Sequence, residues 1–374
     1  MHIIFTTSVP FIKQHKTDLY YDALASNYTC DILDLSELFR RNSDIVSDSV
    51  NEAIKVNSLK QFQDILNNRV KKDKTIIVTN ILINKLCKIY KIIKEFNIPI
   101  ININKENFGQ WLMDNGDLKL LPSCSIQKKL FQAITKHYRL RKMYKYFKYG
   151  NTKYDYVLAN YNYYPEDCKS FIKIHDVKYE EYLESLNSTS IIKEPYILFI
   201  DSAYANHPMY ESSKNKVDKD WYLKCLNNYF ELLEKKYKLP VVISAHPKSN
   251  YDLNDFNGRQ IIKYNTSNLI THCKFVIAHF STSLIDAILL MKPIVILNSI
   301  KLLESAPKMP QLAGLKLADL INLDIVDFEK TDLPNLKVDK IIYQSFIDKY
   351  ICDKKNEKIN NSKLIIDFFN KLNK

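Results

Sequence analysis

The chain has 374 residues, 46% of them hydrophobic and 26% charged, and a formal net charge of +12 at pH 7. At roughly 100 to 200 residues per domain this length predicts two domains with ample core, and the composition excludes collagen, bulk disorder and small disulfide scaffolds. The five glycines, Gly109, Gly116, Gly150, Gly258 and Gly314, are too scattered for a GxGxxG or a P-loop, so a phosphate bound here must be held without a glycine-rich cradle.

In the N-terminal half, short apolar runs alternate with helical spacing. HIIFTT (His2 to Thr7), TIIVTN (Thr75 to Asn80) and IPIININ (Ile98 to Asn104) read as strands, the last after the helical ILINKLCKIYKIIKEF. YDYVLAN (Tyr154 to Asn160) and SFIKIHD (Ser170 to Asp176) follow, and strands separated by helices imply a parallel, doubly wound sheet. From Leu118 to Tyr154 there are ten Lys and Arg and no Asp or Glu, so this stretch accounts for all but about +2 of the net charge. Within it, residues 127–149 have helical spacing, with Leu130, Ile134, Leu140, Tyr144 and Phe147 able to share a face. Such a basic helix suits either a solvated surface or an anionic membrane surface. No helix-turn-helix, RNP or zinc-finger pattern accompanies the charge, so nucleic acid is not an expected partner.

KYEEYLESL is helical, and the polar run Asn187 to Glu194 reads as a linker, which gives an N-terminal domain over residues 1–188. The pattern then restarts with YILFI (Tyr196 to Ile200), a long helix from Trp221 to Tyr237, PVVISA (Pro240 to Ala245), QIIKY (Gln260 to Tyr264), FVIAHF (Phe275 to Phe280), a helix, and PIVILN (Pro293 to Asn298). This is a second α/β domain over residues 189–340, followed by a tail of one or two helices over 341–374. Two Rossmann-like halves leave a central cleft between them for a ligand. No apolar run of about 18 residues occurs, and MHIIFTTSVP lacks the basic and long apolar regions of a signal peptide, so a cytoplasmic protein is expected, with any membrane association peripheral, at the inner face of the plasma membrane. Seven widely spaced cysteines without CxxC fit reduced thiols. No HExxH, EF-hand or zinc pattern is present, so no metal or other cofactor is expected.

In open parallel sheets ligands bind outside the carboxyl ends of the strands, so the residues just after each apolar run are the ones to inspect. YILFI runs into Asp201-Ser202, PVVISA into His246-Pro247, and FVIAHF into Ser281-Thr282-Ser283. The three hydroxyls precede the helical LIDAILLM. They can cap it, and with its free amides they can hold an anion. Pro247 stiffens the turn at His246, whose ring could act as a general acid near neutral pH or simply bond a neighbouring carbonyl. Asp201 could be a general base or a turn-former satisfied by local amides. His207, in a second His-Pro pair, is a further candidate substrate contact. Asp218-Lys219-Asp220 has a DxD spacing but stands where carboxylates favour a helix start, and the absence of GxSxG sets a serine hydrolase aside.

The runs ILFIDS, ISAHPKSN and SNLITHCKFVIAHFSTSLIDAILLMKPIVIL, over roughly residues 195 to 300, resemble the C-terminal half of bacterial GT-B glycosyltransferases that use CMP-activated acidic sugars, of sialyltransferase-like or Kdo-transferase-like type. The resemblance implies a GT-B-like α/β fold and a metal-independent transfer of a sialic, nonulosonic or Kdo-type sugar to a glycan or glycolipid acceptor of capsule or lipopolysaccharide. It implies Asp201 as the base on the acceptor hydroxyl and His246 as the group assisting departure of CMP. Ser281, Thr282 and Ser283 would hold the donor phosphate, with Ser244, Pro247 and Lys248 as further donor-binding residues. A related pattern in teichoic-acid glycerophosphotransferases makes a CDP-polyol phosphotransferase the nearest alternative. A basic binding protein without chemistry is a third reading.

Overall fold

The computed structural model describes residues 1–39, 50–104, 152–161, 167–205, 217–252 and 254–374. The basic segment 127–149 and His207 lie outside the described residues. The chain divides into two compact units: the described residues up to His175 together with Asp353–Lys374, and those of Asp176–Cys352.

The first unit carries β1 (His2–Thr7), β2 (Thr29–Asp34), β3 (Ile54–Lys55), β4 (Thr75–Thr79), β5 (Ile100–Ile103), β6 (Tyr154–Ala159) and β7 (Cys168–Lys173), all paired in parallel in the order β3-β2-β1-β4-β5-β6-β7. The second carries β8 (Ile197–Ile200), β9 (Val241–Ser244), β10 (Ile261–Ile262), β11 (Val276–Ala278), β12 (Ile294–Asn298) and β13 (Asp324–Asp327), also parallel, in the order β10-β9-β8-β11-β12-β13. Each sheet therefore winds outward from its first strand in both directions, the doubly wound Rossmann order. Its direction switches between β1 and β4 in one unit and between β8 and β11 in the other.

Both faces of each sheet are covered, which is why the central strands read as unbroken apolar runs. In the second unit Leu198, Ile200, Val276 and Ile294 face one buried cluster, while Ile197, Phe199, Ile277 and Val295 face the other, against the helix Lys219–Tyr237. That helix is capped by Asp218, whose carboxylate accepts from Trp221 N at 3.1 Å, so the DxD carboxylate serves as a cap as expected.

The division differs from the expected one at both ends. The helix Val177–Ser185 belongs to the second unit, because Tyr179 packs in the cluster with Ile288 and Phe346. The tail splits: Tyr343, Phe346 and Ile351 stay with the second unit, whereas the helix Asn361–Asn373 returns to the first, burying Ile365 and Phe369 against Ile3 and Phe5. The buried Asn361 side chain fixes that return by accepting from His175 N at 2.7 Å and donating to His175 O and Tyr20 Oη at 3.0 Å each. Apolar periodicity shows that the tail is helical but not which sheet it covers. The strands β2, β3 and β13 were also unforeseen. TCDILD and DIVD place acids inside short runs and show no clean alternation.

Gly314 allows the helix Lys308–Ile321 to lie against the end of β11, since a Cβ there would stand 2.4 Å from His279 O. In an open helix Gly→Ala stabilises by up to about 1 kcal/mol. Here the sign reverses, and Gly314→Ala should lower stability by about 1–3 kcal/mol through overpacking. Denaturant titration of the variant measures this, and a gain in stability would show that the helix stands off the strand.

Candidate active site

The switch point of the second sheet lies between the ends of β8 and β11, and the end of β9 is the next one over. With strands about 4.8 Å apart, the ends of β9 and β11 stand only about 10 Å from each other, so groups following all three strands can meet one ligand.

Asp201 and Ser202, which follow β8, tie this region together. Asp201 Oδ2 accepts from His246 N at 3.3 Å, and Asp201 Oδ1 accepts from Ala203 N at 2.8 Å and from Tyr251 Oη at 3.1 Å. On the other side Ser202 Oγ donates to Phe280 O at 2.8 Å. One dipeptide thus anchors both the turn that carries His246 and the segment that leads into Ser281. The sharp bend this needs puts Ala203 in the left-handed region at φ 53, a strain that the Asp201 bond to its N–H offsets.

This geometry corrects the expected role of Asp201. The residue is 3% exposed and both its oxygens are already accepting protein donors, so it is not presented to an acceptor hydroxyl. Burial outweighs the three hydrogen bonds and pushes its carboxyl up to about 6.

His246 is half-buried, and its imidazole Nδ1 accepts from Lys248 N at 3.2 Å. A main-chain N–H can only donate, so the proton of the neutral ring sits on Nε2, which makes that atom the donor. Ser249 closes the turn by donating both N and Oγ to His246 O, at 2.9 and 2.7 Å. Pro247 and Lys248 are exposed at the same turn. Ser244 is not available to a donor as expected. It is buried, and its hydroxyl is bonded to Thr266 Oγ1 at 2.8 Å, bracing β9 against the helix Thr266–His272.

Ser281, Thr282 and Ser283 are half-buried and lead into the helix Leu284–Leu289. Ser281 Oγ accepts from Ser283 N at 3.2 Å, a local turn bond; no side chain caps the helix, whose first amides are taken by the main-chain carbonyls of Ser281, Thr282 and Ser283. The helix is only six residues long, which makes its dipole a weak contributor; an anion here would be held mainly by the hydroxyls of Thr282 and Ser283. Beneath the turn, buried Asp286 accepts from Ser267 Oγ at 2.8 Å and stands 3.8 Å from Lys178 Nζ, and burial pushes its carboxyl up to about 6.

Three contributors lie outside the expected set: Tyr251, which carries no sequence signal, Ser202, beside Asp201, and His279, inside the strand run FVIAHF. Its Nδ1 donates to Leu297 O at 2.7 Å and its Nε2 accepts from Tyr222 Oη at 2.8 Å, among Phe199, Tyr204 and Phe328. Burial lowers its pKa to about 4, so it is a neutral pin between β11, β12 and the helix Lys219–Tyr237.

No family model matches the chain, and no curated protein sequence matches it. Among solved structures it is similar to UDP-GlcNAc 2-epimerase from Methanocaldococcus jannaschii, with 11% identity, TM-score 0.44 and 99% of each chain covered. It is also similar to a variant of the wall teichoic acid polymerase TagF, with 16% identity, TM-score 0.48, and 99% of this chain and 88% of that one covered. A third is Phytolacca americana UGT2 complexed with UDP-2fluoro-glucose and pterostilbene, with 10% identity, TM-score 0.42 and 98% of each chain covered. Likeness at this level assigns no chemistry.

The raised pKa of Asp286 has a definite sign. Its folded-state value of about 6 lies above the ordinary carboxylate value of 3.8, so its stabilising contribution is complete below about pH 4 and is lost as pH rises through about 6. Asp286→Asn cannot titrate. Its stability relative to the parent should therefore rise between pH 4 and pH 8, by up to about 3 kcal/mol for a shift of about two units. Urea titrations at the two pH values test this, and a difference that stays flat would place the carboxyl in an ordinary environment.

Proposed function

We propose that the chain is a glycosyltransferase whose second unit holds a nucleotide-activated sugar, in the finer reading a CMP-linked acidic sugar destined for a cell-surface glycan. The observation that carries this is the double anchorage of β8. Asp201 fixes the His246 turn and Ser202 fixes the approach to Ser281, on either side of the sheet's switch point. The motif resemblance over residues 195 to 300 supplies the class of donor.

In this reading the donor phosphate lies over Thr282 and Ser283, and His246 Nε2 donates to a phosphate oxygen as the bond from the sugar carbon to that phosphate breaks, the acceptor hydroxyl bonds the same carbon and its proton leaves to solvent. Charge builds on the leaving phosphate in an oxocarbenium-like transition state, so a preset donor helps more there than in the ground state. Such general-acid assistance is worth typically about 10² to 10⁴-fold. Lys248 adds positive charge at the rim. Asp201 acts as a positioning residue: its carboxylate holds the main chain that aims the imidazole.

CMP should raise the melting temperature more than UDP or GDP does, with about 2.7 kcal/mol of stabilisation at a hundredfold excess over Kd. His246→Ala and Thr282→Val should each reduce that response. A larger response to CDP that both variants also reduce favours the polyol phosphotransferase reading, and a response to anionic liposomes or short RNA alone removes catalysis from the account.

Asp201→Asn separates positioning from base catalysis. Whichever way the amide is turned, either His246 N or Ala203 N loses its acceptor, so nucleotide binding and transfer should both fall. Full nucleotide binding with transfer lost would restore Asp201 as the base.

A further inference from the structure

The first unit has a switch point of its own, between β1 and β4. The helix Ile83–Glu95 starts just after β4, and no side chain caps its first turn, where the preceding residue is Leu82. Lys85 stands in that turn and its Nζ donates to Ser8 Oγ, one residue past the end of β1, at 3.1 Å. Ser8 is itself buried.

A second observation comes from the strand below. Thr6 is 0% exposed, and its hydroxyl has no hydrogen-bond partner among the described residues. Its direction follows from the register. Thr6 pairs with Leu33 and Thr79, and Leu33 packs with Ile4, Ile77, Ile81 and Leu86, the last of these on the helix Ile83–Glu95. Thr6 and Ser8 alternate with Phe5 and Thr7, so both project from the face on which that helix begins. The neighbouring carboxylate Asp34 pairs with Thr7 and projects from the opposite face. An orphaned buried hydroxyl costs about 1–3 kcal/mol, a cost that a ligand oxygen would remove.

We propose that Thr6, Ser8 and Lys85, at the start of the helix Ile83–Glu95, form a phosphate site in the first unit, separate from the donor site of the second. It takes a phosphate group, either free or as the monoester of a sugar. The ammonium supplies the charge, Ser8 supplies a directed contact, and the Thr6 hydroxyl is the floor.

The test is calorimetric titration of the full chain with inorganic phosphate and with glucose 6-phosphate, in a Thr282→Val, Ser283→Ala background that removes both anion-facing hydroxyls of the second unit's turn. Saturable binding should weaken at least about tenfold in Lys85→Met, as loss of a charge-assisted contact requires, and should be largely restored in Lys85→Arg. Thr6→Val distinguishes a ligand role from a structural one: removing the orphaned hydroxyl should leave the unliganded protein as stable or more stable while weakening phosphate binding. The tighter of the two ligands identifies how the phosphate arrives. Absence of saturable binding by both, or affinity unchanged in Lys85→Met and Thr6→Val, would overturn the proposal.

Discussion

The second unit depends on one buried carboxylate. Asp201 takes three donors from three places: the residue two ahead of it, the turn after β9, and Tyr251. A group with this many partners cannot be moved without orphaning several of them, and in a low-dielectric setting each orphan is costly. The turn after β9 therefore has one backbone course. The tautomer of His246, and the side on which its proton lies, follow from that course through the Lys248 N–H.

The framework around the carboxylate explains why the constellation forms at this place. A doubly wound parallel sheet leaves a gap between the first strand and the fourth where connecting segments diverge, and the chain fills its rim with polar residues that the packed faces could not accept. Just below the rim, His279 bridges β11, β12 and the helix Lys219–Tyr237 as a neutral ring, and Gly314 lets another helix lie against the same segment.

Much of this was legible in the residues. Unbroken apolar runs such as TIIVTN and PIVILN mark strands buried on both faces, and the polar residues that end YILFI, PVVISA and FVIAHF do stand side by side at one sheet edge. What the sequence withheld is burial and partnership. Asp201 reads as a candidate base because a strand-end acid is usually accessible; only the fold shows it sealed beneath Tyr251 and the His246 turn. Ser244 is misread for the same reason, since Thr266, its partner, is 22 residues away. β2 and β13 escape periodicity because acids interrupt runs of four to six residues, and β3 because two residues carry no alternation to count. The return of the tail to the first sheet rests on Asn361, and no local pattern announces such a contact.

In the proposed reading His246 is a hydrogen-bond donor whose turn is held by Asp201, with Ser281 to Ser283 following the strand on the other side of β8. A crystal structure of the chain soaked with CMP tests it most directly. The phosphate should lie within about 3 Å of both His246 Nε2 and the hydroxyls of Thr282 or Ser283, with Asp201 still bonded to His246 N and out of reach of the ligand. A phosphate bound elsewhere, or a nucleotide that engages the Asp201 carboxylate directly, would contradict it.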